Sequence, residues 1–240
     1  MRGLGRHYEL TVRCRGDIDP KTGYLIDIKV IDRQVRDVVI PLIASACHDR
    51  PTSEPSEIIP ALFLALAAAL AKLGPASLDA LTWNLTPTYG VAMEAEHPGT
   101  VLLRQRFDFA AAHRLHAPSL SDEDNRRAFG KCNNPSGHGH NYQFEPVVAI
   151  KASPTGANPF SLADLEALAQ RVLIEPFDHK HLNVDTPEFK SPGGEIPSVE
   201  NIAKVFYERL ATAIHKSNSG VTLRAITVWE TDRTSCTYPG

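Results

Sequence analysis

Residues 109–142 read FAAAHRLHAPSLSDEDNRRAFGKCNNPSGHGHNY. Apolar alternation predicts a strand over 107–113 and another over 138–150. His138 and His140 are two apart, and a strand sends alternate side chains to one face, so both imidazoles point the same way. His113 ends the preceding strand, and an antiparallel pairing of the two strands can bring it to the same spot. Three neutral histidines suit zinc and leave a fourth position open, the pattern of a catalytic rather than a structural metal. An isolated His-x-His is more readily an accident of a His-containing strand than a metal site. What sets this one apart is Cys132 upstream in a Gly- and Asn-rich loop, where a thiol gains nothing from packing. Beside a dication and Lys131 it is expected to have a lowered pKa and to act as base or nucleophile. His116, in a polar loop, and His7, with no histidine near it in sequence, read as ordinary residues.

The chain as a whole is unremarkable in composition: 240 residues, 42% apolar and 22% charged. That length allows one large domain or two small ones. With 25 Lys and Arg against 28 Asp and Glu, the formal charge is -3, and nothing global recruits nucleic acid or an anionic membrane. Positive charge for a phosphorylated ligand must therefore be local. The longest apolar run, ALFLALAAALA over 61–71, is about half a membrane span and reads as a buried helix. Residues 1–12 lack the apolar segment of a secretory signal. The four cysteines, Cys14, Cys47, Cys132 and Cys236, have no zinc-ribbon or disulfide-scaffold spacing. A cytoplasmic protein with free thiols is expected.

The chain also resembles itself. Residues 5–94 run parallel to 139–240. Gly5 and Tyr8 align with Gly139 and Tyr142, the run Val38-Val39-Ile40 with Val172-Leu173-Ile174, and Pro41 with Pro176 after a one-residue insertion. Residues 51–83 then align with 197–229, so each copy places Pro-x-x-Glu before a helix and a Trp in a late strand. Each copy reads as strand, helix, helix, strand, strand. In the first these fall over 8–14, 28–40, 56–70, 78–85 and 89–93. In the second, helical spacing covers 162–174 and 198–214, and strands cover 223–230 and 234–238. Residues 94–100, EAEHPGT, read as a linker with its turn at Pro98-Gly99. The expected domains are 1–97 and 101–240. Strands with helices gathered between them fit an α+β sheet covered on one face.

Two further groups bear chemistry. Asp178-His179 in EPFDHKHLN pairs a proton shuttle with a carboxylate, although sequence neighbours need not bond each other. His181 is ambiguous for the same reason. Glu230, after Trp229, can hold a guanidine-like ligand edge by paired hydrogen bonds or can be an exposed strand-end carboxylate.

The run GKCNNPSGHGHNY, with FAAAHRL before it and PFDHKHLN, PSVEN and WETD after it, resembles 6-pyruvoyl-tetrahydropterin synthase and its relative 6-carboxytetrahydropterin synthase, over residues 104–240. The resemblance implies the tunnelling fold, a four-stranded antiparallel sheet with two helices on one face, in subunits that join their sheets into a barrel. It implies zinc on His113, His138 and His140, Cys132 as the proton-abstracting thiol, and Asp178 and His179 as its relay. Glu230 would anchor the pterin ring, with Ser198 and Glu200 lining the pocket. The implied reaction takes 7,8-dihydroneopterin triphosphate to 6-pyruvoyl-tetrahydropterin with loss of triphosphate. It needs no nicotinamide or flavin, and no dinucleotide fingerprint is found. Five residues separate Cys132 from His138, as in the pyruvoyl-forming branch. The carboxy-forming branch, a pterin-binding protein without turnover, and a cyclohydrolase of the same fold are the alternatives. Ala110 and Ala112 stand where the family often has Ser, and Val199 where Thr or Ser is common. Lys131, Lys180 and Arg114 are candidates for the triphosphate by position.

The first copy carries none of this set. Arg6 stands at the position of His140, Ile43 and Ala44 at those of Asp178 and His179, and Asn84 at that of Glu230. It is expected to be a truncated, degenerate tunnelling-fold half retained for assembly. The whole is expected to form homo-oligomers with sites at subunit interfaces.

Overall fold

The computed structural model describes residues 8–152, 159–217 and 219–239. Gly5, Arg6 and His7, with the correspondences expected of them, lie outside the described residues. The chain divides into two units, residues 1–104 with 149–161 and residues 105–148 with 162–240.

In the first unit, β1 (Glu9–Arg15) is followed by α1 (Ile28–Gln34), a π-helical turn (Val35–Val39), α2 (Ile40–Asp49) and α3 (Pro55–Leu70). Then come β2 (Ser77–Asn84), β3 (Tyr89–Glu94) and β4 (Thr100–Gln105). β1 and β3 flank β2 in antiparallel register, and β4 lies beside β3. The apolar run expected as a buried helix is α3. Its Ile58, Ile59, Leu62, Phe63 and Leu66 recur at helical spacing, are buried, and pack on β2 and β3. Residues 94–100 are not a linker. Thr100 donates to the His97 carbonyl at 3.1 Å and Gly99 has φ 76°, which closes a tight β3–β4 connection.

The second unit runs β5 (Phe107–His113), α4 (Asp122–Phe129), a 3-10 turn (Gly130–Asn133) and β6 (His138–Lys151). α5 (Leu162–Ala169), a π-helical turn (Gln170–Ile174), α6 (Glu175–Phe177), β7 (Lys180–His181) and α7 (Leu182–Asp185) follow. α8 (Val199–Ser217), β8 (Thr222–Thr231) and β9 (Thr234–Tyr238) complete it. Its strands lie in the order β7-β5-β6-β8-β9. β5/β6 and β8/β9 are antiparallel, and the two-residue β7 runs parallel to β5. Strict alternation along β6 buries Tyr142, Phe144, Val148 and Ile150. α8 packs on β8 and β9, with α5 beside it. Phe206 of α8 is fully buried and meets Phe109, Phe144 and Phe177 at centroid distances of 5.1, 5.3 and 5.0 Å. This aromatic core sits one residue pair inside the strand ends that carry the histidines. The architecture is thus the expected α+β sheet, with β7 and the short helices α4, α6 and α7 added.

Both units repeat one local irregularity. A proline stands one residue beyond the end of each π-helical turn, Pro41 in one and Pro176 in the other, and the residue between donates its backbone N–H five residues back, Ile40 to Val35 and Glu175 to Gln170. A proline inside a helix has no N–H and crowds the carbonyl four residues earlier, and a widened turn relieves that clash. The units diverge just afterwards. Ile43 and Ala44 continue within α2, whereas the chain leaves the helix at Asp178, where ψ is 136°.

Candidate metal centre and active site

The antiparallel register sets His113 directly opposite His138, and His140 lies two residues further along β6. The three present ligand nitrogens within 4.8 Å of one another. Among the described residues this is the one cluster of at least three metal-ligating side chains of that compactness. His113 is fully buried. Its Nδ1 lies 2.7 Å from the carbonyl oxygen of Pro197. A carbonyl only accepts, so Nδ1 carries the hydrogen, and Nε2 turns its lone pair toward His138 Nε2, 3.2 Å away. Burial lowers the His113 pKa to about 4, with the Pro197 bond acting the other way and the neighbouring histidines adding to the drop. His140 is also lowered, first by burial. Neutral rings with converging lone pairs are what a cation needs. Among the described residues neither His138 Nδ1 nor the buried His140 Nε2 has a hydrogen-bond partner, and the latter faces the cluster. The donor set therefore fits a metal ion, with the Pro197 carbonyl holding one ligand in orientation from behind.

Glu230, at the end of β8, is not an exposed carboxylate. Its side chain is 16% accessible, and its Oε1 lies 3.3 Å from His113 Nε2 and 3.6 Å from His140 Nε2. Cys132 occupies the 3-10 turn, half-buried, with its carbonyl accepting from Leu115 N at 2.8 Å. The expectation of a lowered thiol pKa is not met by these protein groups. Burial raises it, and the Glu230 charge raises it further. Glu230 thus lies on the histidine cluster, and its charge also reaches Cys132.

Asp178 and His179 do bond each other, with His179 Nδ1 2.8 Å from Asp178 Oδ2. Asp178 also accepts from Ala110 N at 2.8 Å, and that bond is the main reason its carboxyl lies below the usual range. His179 is 82% exposed, has φ 57°, and borders a cavity of about 620 Å³ together with His140. Ser198 follows Pro197, and its carbonyl accepts from Ile202 N in the first turn of α8. Glu200 is exposed on that turn, where its charge acts on Cys236 of β9. His181 has a buried Nδ1 without a partner among the described residues and approaches Gly137, where an added Cβ would lie 2.7 Å from its Nε2.

Several residues that shape the site escaped the sequence reading. Tyr142 is fully buried, and its hydroxyl lies 3.2 Å from His113 Nδ1. Its pKa is raised by burial and by Glu230. Asn125, fully buried, accepts from Ala117 N and donates to the carbonyls of Ala117, Leu120 and Ser121, all within 2.7–3.1 Å. Asn183 clasps the Arg114 backbone through both its N–H, at 2.7 Å, and its carbonyl, at 3.1 Å. Asn133 donates to the Leu115 carbonyl at 2.7 Å and to His116 Nδ1 at 3.2 Å, so His116 serves the loop. The usable signal was the density of asparagines in a region otherwise read as loop. In the first unit, Asn84 accepts from the Arg104 guanidinium at 2.6 Å. No helix among the described residues is long and apolar enough to cross a membrane.

The family model described as 6-pyruvoyl tetrahydropterin synthase matches residues 102–240. A human protein named 6-pyruvoyl tetrahydrobiopterin synthase is 38% identical over 136 residues, covering 57% of this chain and 89% of the relative. A 6-carboxy-5,6,7,8-tetrahydropterin synthase of Haemophilus influenzae is 24% identical over 153 residues, covering 57% of this chain and 96% of the relative. The solved structure of Caenorhabditis elegans 6-pyruvoyl tetrahydropterin synthase superposes with TM-score 0.52 at 34% identity, covering 59% of this chain and 96% of that one. The matched segment includes all three histidines, Cys132 and Glu230, and the chain belongs to the 6-pyruvoyl tetrahydropterin synthase family.

Proposed function

We propose that the chain is a zinc-dependent lyase that converts 7,8-dihydroneopterin triphosphate to 6-pyruvoyl-tetrahydropterin with loss of triphosphate. The observation that carries this reading is the convergence of three histidine nitrogens on one point, flanked by Glu230 and the Cys132 turn. The family membership and the names of its relatives supply the substrate class.

His113, His138 and His140 would hold the ion. Zinc bound there supplies Lewis acidity that makes a C–H next to a coordinated oxygen easier to remove. Cys132 takes that proton. Its thiolate is disfavoured by burial and by Glu230 in the protein alone, so ionisation is tied to the arrival of positive charge in the cluster. Glu230, held inside the site, pairs with the N–H edge of the pterin ring, and Ser198 and Glu200 line the pocket at the start of α8. Asp178 keeps the Nδ1 hydrogen of His179 toward itself, which leaves Nε2 to carry protons. A relay histidine that is 82% exposed in the single chain fits a site closed by a second copy, in a homo-oligomer. The first unit, with the same β1-β2-β3 order as β6-β8-β9, a π-helical turn before proline and Asn84 where Glu230 would stand, is a degenerate duplicate kept for assembly.

The test is incubation of zinc-loaded protein with dihydroneopterin triphosphate, following products by mass. Pyruvoyl product with free triphosphate is expected. Acetaldehyde would move the chain to the carboxy-forming branch, and tight binding without turnover would make it a pterin-binding protein.

A further inference from the structure

Pro176 has no N–H, so the carbonyl four residues back, that of Val172, receives no hydrogen bond from that position. Arg209 of α8 supplies one: its Nη1 donates to the Val172 carbonyl at 3.0 Å. The other two guanidinium nitrogens, Nε and Nη2, both reach Glu188 Oε1, at 2.7 and 2.6 Å. Its Cζ lies over the Phe177 ring, 4.9 Å from the centroid and within reach of a cation–π contact. One planar group thus ties the π-helical turn, the segment at Glu188 and the end of α6 together.

Phe177 is fully buried and is followed directly by Asp178, where the backbone becomes extended. From there β5 holds the chain: Asp178 accepts from Ala110 N at 2.8 Å, and His179 N donates to the Ala110 carbonyl at 2.6 Å. His179 has φ 57°, a left-handed conformation that a non-glycine residue keeps when its surroundings hold it there. The first unit supplies the contrast. It has the same π-helical turn and proline, but in the alignment of residues 51–83 with 197–229 the place of Arg209 is taken by Phe63. Phe63 is buried, and the helix after Pro41 runs on to Asp49. With the arginine, the helix stops one residue after Pro176. Arg209 is 30% accessible and borders a cavity of about 490 Å³, so it does not serve to fill space. A partly exposed ion pair adds little stability, and what these contacts fix is geometry.

We propose that Arg209, anchored by Glu188, is a positioning residue for the Asp178-His179 pair. Its forked guanidinium holds the Val172 carbonyl and the Phe177 ring, and so sets where the chain leaves the helix and presents the pair to the cavity bordered by His179 and His140. A lysine ammonium is a single point of charge and cannot serve carbonyl, carboxylate and ring at once. The role of the pair as a proton relay rests on the pterin-lyase reading above, whereas its placement rests on these contacts.

The test follows the Asp178 carboxyl by carbon-13 NMR, together with turnover of dihydroneopterin triphosphate, in the zinc-loaded full chain as wild type, Arg209→Lys and Arg209→Ala. In wild type the Ala110 N–H holds that carboxyl below its ordinary value. In both variants it is expected to rise toward the ordinary value of about 4, because the bond to Ala110 is no longer held in register. Turnover is expected to fall by about 10–10²-fold in kcat, with KM and zinc content unchanged. Arg209→Lys keeps the charge and the stem, so it decides the test should Arg209→Ala not fold. A folded Arg209→Lys whose Asp178 carboxyl titrates as in wild type would overturn the proposal, whatever its melting temperature. So would a shifted carboxyl with kcat at the wild-type value, or loss of zinc from the variant. If the carboxyl shifts but wild type itself does not turn the substrate over, the placement by Arg209 stands and the lyase reading falls.

Discussion

His113 Nδ1 and the Pro197 carbonyl oxygen lie 2.7 Å apart, so a backbone group at the start of one helix sets the tautomer of a histidine at the end of a strand. Because that hydrogen is committed, the ring's other nitrogen faces His138 and His140 as a lone pair, and metal removal should register on the whole second unit. Stripping with a chelator is expected to lower the melting temperature, and zinc at about 100 times its dissociation constant to restore about 2.7 kcal/mol. His140→Ala should lose that increment. Metal analysis of the wild type should find about one equivalent per chain, since the first unit offers no such cluster among its described residues. Two equivalents would contradict the assignment.

Cys132→Ser separates chemistry from metal binding. The thiol is not one of the three clustered ligands, so zinc content should be unchanged. Turnover should fall by about 10²–10⁴, the range for losing a positioned base. Retention of full turnover by this variant would remove Cys132 from the mechanism.

Asp178 offers a pH signature. Its folded carboxyl is depressed, chiefly by the Ala110 N–H, so its charge adds stability above the ordinary carboxylate pKa of about 4. That contribution is lost as pH falls through the lower folded value. Asp178→Asn should therefore cost about 1 kcal/mol at neutral pH, a modest figure for a partly exposed group, and the gap from wild type should close in acid. Melting temperatures of both proteins between neutral pH and pH 3 would show it. A gap that widens in acid would reverse the sign.

Asn125 tests the loop. Replacement by alanine leaves the Ala117 N–H and the Leu120 carbonyl without the Asn125 side chain, while the Ala117 and Ser121 carbonyls keep the backbone donors Leu120 N and Asn125 N, and a loss of about 1.5 kcal/mol is expected in denaturant unfolding. The Cys132 turn follows α4 directly, so turnover should drop as well. Stability within about 0.5 kcal/mol of wild type would show that water replaces those bonds.

Much of the second unit could be read from the chain, because strand alternation and helix spacing are local properties. The pairing of His113 with His138 follows from two strands that each end in histidine, and Phe206 falls on the apolar stripe expected of its helix. Pro41 and Pro176 mark the π-helical turns, but a proline in a helical stretch is equally compatible with a kink or a helix end. Pro98-Gly99 is equally at home in a turn or a linker, so the β3–β4 hairpin over residues 94–100 is settled only by the hydrogen bonds that close it. The orientation of each functional group depended on contacts between distant segments. Pro197 reaches His113 across 84 positions, and Asn183 reaches Arg114 across 69. Glu230 appeared equally suited to solvent or to a site, and only the sheet order that puts β8 beside β6 places it on the histidines. The raised Cys132 pKa has the same origin, since burial and a neighbouring carboxylate are properties of the folded chain. Local sequence thus determined which residues could take part and on which face of a strand they lie. Long-range packing decided how they meet, because hydrogen-bond direction, desolvation and charge proximity exist only once distant segments are brought together.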